Sequence, residues 1–286
     1  MKQYLSYGYI LLAGALWGLI GLFNRSLTAA GFSSFDIVLV RNVGGFLMLG
    51  LIFLVVDRSV FKVQLRHLKY FFGTGVISVL LFTLCYFTCQ QMCSLAVAAI
   101  LLYTAPTFVV LLSALLWRDR ITKRKLAALV ITFLGCTFVS GIWSGSVTVT
   151  LTGFLLGVGS GFFYGLYTIF GRYALAHYQP FTVTFYTFLF AGGSALLVVR
   201  PQGWGDRLFQ PAILLLSLGL ILVCTVLPYL LYTKGLSLVD GGKASILASV
   251  EPVVAALAGI AAFGEPMSVM VLLGLGCILL SVYILR

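Results

Sequence analysis

Residues 94–106 read SLAVAAILLYTAP and residues 240–252 read DGGKASILASVEP. At an offset of 146 positions Ala98 falls on Ala244, Ile100 on Ile246, Leu101 on Leu247 and Pro106 on Pro252. The register carries outward to Tyr86 on Tyr232 and Asp119 on Glu265. At 147 positions Gly14 and Gly18 fall on Gly161 and Gly165, and Trp17 falls on Tyr164. A pattern repeated once along the chain is an internal duplication, and it predicts two copies of one unit, 1–146 and 147–286.

Composition says what the unit is made of. Of the 286 residues, 61% are hydrophobic and 9% are charged, too little polar surface to coat a soluble globule of this length. A hydrocarbon core of about 30 Å is crossed by roughly 20 apolar residues in a helix. Apolar runs of that size fall near 5–24, 35–56, 68–90, 94–117, 124–142, 152–171, 181–199, 211–233, 243–263 and 268–285. These predict an all-α membrane protein of ten transmembrane helices, five in each copy. The first run follows Lys2 and is longer than a signal-peptide core, so it reads as a retained helix. The longest polar insert is Asp57 to His67, which leaves function inside the helix bundle.

Five is odd, so the second copy enters the bilayer from the opposite side and the two form an inverted repeat. One unit set in two orientations can adopt two shapes, and exchanging the shapes gives alternating access. With the N-terminus inside, 14 of the 18 Lys and Arg residues fall on the inner side. Only Arg25, Arg200 and Arg207 fall outside, and Arg41 lies within a span. The positive-inside tendency then places both termini in the cytoplasm, in what short loops suggest is a bacterial plasma membrane. The net charge of +11 resides in these loops, with no basic stripe interleaved with stacking aromatics, so no nucleic-acid partner is expected.

The two halves resemble the paired EamA-type repeats of the drug/metabolite transporter superfamily over essentially the whole chain. The matching stretches are Ala15-Leu16-Trp17-Gly18, Arg41, the run from Ser94 through Ala98, Ile100 and Leu101 to Pro106, and Ala244-Ser245-Ile246 through Glu251-Pro252 to Gly264-Glu265. The resemblance implies a secondary carrier for small metabolites such as amines, amino acids or nucleobases, with the substrate held between the halves. Phe188 stands where Arg41 has its counterpart, so any role of that arginine is not duplicated.

Glu251 is the sharpest candidate for a binding residue. Eight residues beyond Lys243 it lies roughly 12 Å deep, near the bilayer midplane, and an ionisable group there faces a cavity or a partner. Proton coupling and cation binding are both open to it; the bland alternative is a packed Glu-Pro motif. Pro106, Pro228 and Pro252 lie mid-span, and each frees a carbonyl that lipid cannot satisfy, so the helices are expected to bend there around a central site. Trp17, Tyr86, Tyr103, Tyr164, Tyr167, Tyr186, Tyr229 and Tyr232 recur at similar depth, and their faces would attract an ammonium group. Trp17 and Tyr164, repeat mates beside glycines, lead that set. Arg41 either contacts a substrate carboxylate or ties helices together. Asn42, Gln90 and Gln91 read as span-end residues, and Gly157, Gly161 and Gly165 as a packing ladder. Cys85, Cys89 and Cys93 share a helix face, but no His or Met cluster joins them, so no metal or other cofactor is expected.

The expected function is secondary transport of an organic cation or amine, with protons as a candidate coupling ion; the alternative is an exporter of aromatic or neutral amino acids with the same fold. A membrane enzyme is disfavoured by the lack of HExxH and GxSxG sequences, Ser160 being preceded by Val158 two residues earlier. A channel would need rings of polar residues that one deep acid does not supply. No sequence feature bears on oligomeric state.

Overall fold

The computed structural model describes residues 2–140, 142, 149–199, 205–264 and 267–285. Arg200, Glu265, Arg286 and the junction at 146–147 lie outside the described residues. The described chain forms helices and no strands. Ten helical spans follow in order, several of them broken: α1a (Lys2–Gly18) and α1b (Ile20–Ala29), α2 (Ser34–Val56), α3 (Leu65–Met92), α4a (Leu95–Leu102) and α4b (Ala105–Trp117), and α5 (Lys123–Val139). The second copy supplies α6 (Leu151–Leu175), α7 (Pro180–Val198), α8 (Pro211–Leu236), α9a (Gly241–Ala248) and α9b (Glu251–Phe263), and α10 (Val269–Ile284).

Eight of the spans, counting each broken pair as one, are long and apolar enough to cross a bilayer. The other two, α5 and α10, have 17 and 16 residues, shorter than their apolar runs predict. At 1.5 Å per residue they reach about 25 Å, a few ångströms short of a typical hydrocarbon core of about 30 Å. They pack on each other through small residues. A Cβ on Gly274 would stand 2.7 Å from the Gly135 carbonyl oxygen, and Thr132 donates to Ser281 Oγ at 2.7 Å. Such close backbone approach is how helices associate where lipid removes the hydrophobic drive.

The duplication shows in local geometry as well as in sequence. Ser94 caps α4a by accepting from Val97 N, and its counterpart Asp240 caps α9a by accepting from Lys243 N. The breaks in α4 and α9 fall at matching positions, so Pro106 and Pro252 both sit in the first turn after a break. Both helices end on a left-handed residue, Arg118 (φ 57°) and Gly264 (φ 65°). Widened π-helical turns occupy Gly73–Leu80 of α3 and Leu222–Val226 of α8, again in register. Packing is exchanged between the copies: α6 lies against α3 and α4, while α1 lies against α8 and α9. Copy symmetry fails at α1, broken at Gly18–Leu19, since its mate α6 is continuous.

Outward faces of the bundle carry exposed Leu51, Val55, Leu115, Val130, Leu197, Leu215 and Leu279. In water such a surface would be prohibitive; in a bilayer it is what lipid tails cover.

Candidate substrate cavity

A cavity of about 670 Å³ lies chiefly between α1, α3, α4, α5 and α9, with α2 and α10 at its edge. It runs from Trp17 and Glu251 in the middle of the bundle to Arg25, Thr28 and Ser34 at the end where α1 finishes and α2 begins. Because α9 breaks at Ser249–Val250, Glu251 becomes the first residue of α9b and faces the hollow instead of continuing a helical ladder. Glu251 is the one acid among the lining residues. Tyr164 donates its hydroxyl to Glu251 Oε2 at 3.4 Å.

Beneath this point the path narrows to a void of about 20 Å³ under Trp17, walled by Tyr164, Tyr167, Tyr229 and Tyr232. Trp17 packs edge-on against Tyr229 at 5.2 Å and tilted against Tyr232 at 5.4 Å between ring centroids. Edge-on contacts set positive ring rims against negative faces, which favours this floor over stacked rings. The hydroxyls below it are paired, Tyr167 with Thr233 and Tyr232 with Thr168, each at 2.7 Å. Further down, Lys125 pairs with Asp240 at 2.8 Å, joining α5 to the α8–α9 turn. Arg172 pairs with Asp119 and lies 4.3 Å over the Trp117 ring. The cavity is thus open to one end of the bundle and closed to the other.

The aromatic candidates divide between these two levels. Tyr86 and Tyr103 line the large cavity; Tyr164, Tyr229 and Tyr232 form the floor with Trp17, and Tyr167 packs below. Tyr186 lies away from it, donating to the Phe61 carbonyl at 2.9 Å. Of the three prolines, Pro252 lines the cavity, whereas Pro106 and Pro228 are buried in α4b and α8.

Arg41 lines the same cavity as Glu251 and donates from Nε to Thr225 Oγ1 at 3.2 Å. That bond fastens α2 to the π-helical turn of α8, while no carboxylate lies within ion-pairing distance of the guanidinium among the described residues. Asn42, read from sequence as a span-end residue, is instead 2% exposed and well inside α2, against the Gly192 backbone of α7. A capping box of Ser33 and Asp36 starts α2 at Ser34, so Asn42 lies about two turns inside the helix, where the packing of α7 buries it.

Two lining groups, Asn24 and Phe82, were not singled out in the sequence, and Gln90, read there as a span-end residue, lines the cavity as well. Asn24 presents a buried Oδ1 with no hydrogen-bond partner, and Phe82 and Gln90 sit above and below Tyr86. Helical spacing would have found Phe82, since Phe82, Tyr86 and Gln90 are spaced by four on one face; Asn24 lies beyond the break in α1, where that spacing no longer holds. The glycine ladder is a packing device: a Cβ on Gly161 would lie 2.7 Å from the Leu101 carbonyl oxygen, and one on its mate Gly14 2.7 Å from the Ala248 carbonyl oxygen.

Similarity to known proteins agrees with this architecture. The chain is 32% identical over 259 residues to an uncharacterized transporter of Archaeoglobus fulgidus, covering 86% of this chain and 89% of that one. It is 29% identical over 192 residues to the threonine/homoserine exporter RhtA of Escherichia coli, covering 66% of this chain and 61% of RhtA. A solved crystal structure at 17% identity superposes with a TM-score of 0.84 over 98% of this chain and 96% of the other, a likeness of fold. The EamA-like transporter family matches residues 5–141 and again 151–286. With ten helices in two inverted sets of five around a one-sided cavity, the chain is an integral membrane protein of the EamA-like transporter family, and a transporter, not an enzyme.

Proposed function

We propose that this transporter moves a small organic metabolite bearing a cationic amine across a bacterial plasma membrane, with both termini cytoplasmic. The observation that carries the reading is the placement of Glu251, the lone acid of the cavity, directly above a floor of aromatic rings. A carboxylate supplies the counter-charge, and ring faces add attraction for ammonium without the desolvation cost of a second acid. Binding closes the open end, and opening of the paired groups at the other end releases the solute. In this scheme each repeat, 1–146 and 147–286, takes the other's shape, and a proton on Glu251 alternates with the substrate.

Solid-supported membrane electrophysiology on purified protein in liposomes tests it, with quaternary amines, guanidinium compounds, polyamines and neutral amino acids at two pH values. Saturable currents with cations that vanish in Glu251→Gln support the reading. Currents unaffected by Glu251→Gln overturn it.

A second reading, an amino-acid exporter, is favoured by one observation: Arg41 and Glu251 line one cavity and do not pair with each other. A zwitterion would complete both. RhtA, similar over part of the chain, is named for threonine and homoserine export. Transport confined to amino acids, and lost in Arg41→Gln, would select it.

A further inference from the structure

A second hollow, of about 610 Å³, lies at the closed end where α5 begins and α10 finishes. Five cations line it: Arg120, Lys123, Arg124, Lys125 and Lys243. Its two acids are already engaged, Asp240 with Lys125 and Asp119 with Arg172. Arg120, Lys123, Arg124 and Lys243 therefore have no ion-pair partner among the described residues. Lys243 has only the Tyr7 hydroxyl, at 3.3 Å.

The position of three of these cations adds to the imbalance. Thr122 caps α5, and Lys123, Arg124 and Lys125 fill its first turn, where no acid is present. A helix N-terminus carries about half a positive charge, so cations there are repelled by the helix that bears them. An anion seated in the hollow would reverse the sign of that interaction for all of them.

The wall of the hollow says which anion. Ile284 and Leu285 close one side of it; next to lining residues in the chain, Leu126 of α5 is 54% exposed and Tyr283 of α10 is 70% exposed. Leu126 and Tyr283 belong to the outward faces that lipid tails cover, while Ile284 and Leu285 pack into the core behind them. We infer that the hollow binds the phosphate headgroup of an anionic phospholipid, with its acyl chains along the α5–α10 surface. The shared chemistry is a phosphate oxyanion; the apolar wall and the lipid-facing flank favour a lipid over a soluble anion. Basic pockets between transmembrane helices are known hosts for such headgroups. Since Lys125–Asp240 and Lys243–Tyr7 border the hollow, a bound headgroup would also brace the closed end.

The test uses full-length protein, stripped of lipid in detergent and titrated with phosphatidylglycerol, phosphatidylcholine or inorganic phosphate. Melting temperature and retained lipid, by native mass spectrometry, are read in parallel. Arg120→Gln/Lys123→Gln/Arg124→Gln alters exposed groups outside the substrate cavity, and Arg58→Gln/Lys62→Gln/Arg66→Gln matches its charge change elsewhere. Stabilisation by phosphatidylglycerol alone, weakened roughly a hundredfold in the first variant and kept in the second, is the expected result. Equal stabilisation by phosphatidylcholine, or equal loss in both variants, overturns the site. Equal stabilisation by inorganic phosphate overturns the lipid assignment. Because the assay reads binding and not flux, its outcome is independent of the transported solute.

Discussion

Tyr164 and Glu251 meet at 3.4 Å between α6 and the first turn of α9b, linking a continuous 25-residue helix to the helix that breaks at the cavity. Hydrogen bonds to a charged group contribute about 1.5–3 kcal/mol, and this one, at 3.4 Å, is longer than the usual O–H···O distance and correspondingly weaker. Tyr164→Phe keeps the ring and removes the hydroxyl. Apparent affinity for the transported amine should weaken by about fivefold, close to 1 kcal/mol, with an unchanged melting temperature. Concentration dependence of liposome currents measures this.

Asp240 has two tasks, pairing with Lys125 at 2.8 Å and capping α9a through Lys243 N at 3.0 Å. Asp240→Asn preserves the cap and strands Lys125, which is 7% exposed. Breaking a fully buried pair costs about 3–5 kcal/mol; Asp240 is partly solvated, so about 2 kcal/mol is expected here. A thermal melt in detergent should show the drop, and Lys125→Met with Asp240→Asn should recover most of it. A double variant no more stable than the single would place the cost elsewhere.

A Cβ on Gly242 would stand 3.1 Å from Val110 Cγ2 and 3.8 Å from Val110 Cα, a separation that suits a disulfide. In a background with the six cysteines replaced, Val110→Cys/Gly242→Cys should cross-link on oxidation and stop transport, and reductant should restore it. In the register of the repeat, Gly242 corresponds to Ala96 and Val110 to Ala256, which flank the open cavity. Ala96→Cys/Ala256→Cys should cross-link only when the cavity closes, and added substrate should change its yield. Identical yields under all conditions would argue against alternating access.

Gly14 and Gly161 do the same job in the two copies, since a Cβ on either would come within 2.7 Å of a carbonyl oxygen beside a helix break. Gly14→Ala and Gly161→Ala should each destabilise by about 1–3 kcal/mol as the helices are pushed apart. The readout is melting temperature; a neutral outcome at both would mean the breaks absorb the displacement.

The helical spans and their arrangement as two repeated sets were legible because lipid leaves a helix few alternatives and because the chain states its pattern twice. The match of Ser94 to Asp240 as caps was not, since side chains so different do one job through the same oxygen position. Asn42 was misplaced because hydropathy sees a run and not which face another helix covers. Tyr186 and Tyr232 look alike in sequence, yet only Tyr232 reaches the floor under Trp17, the other being drawn to the Phe61 carbonyl by the fold of the α2–α3 connection. Pairing across helices is decided by packing, which one chain does not spell out. The hollow at the head of α5 was hidden among ordinary loop charges until the partners of its acids were known.

The breaks in α4 and α9 have nearly the same backbone: Tyr103 and Ser249 have ψ of 9° and 8°, and Thr104 and Val250 have φ of −71° and −66°. Two identical joints set in opposed orientations behave like the two arms of a balance. A substitution that stiffens one joint favours one direction of opening, and the equivalent substitution in the other joint favours the reverse. Made together, the two changes should cancel in the resting preference while slowing the exchange, so the duplicated helix break lets speed and bias be set separately.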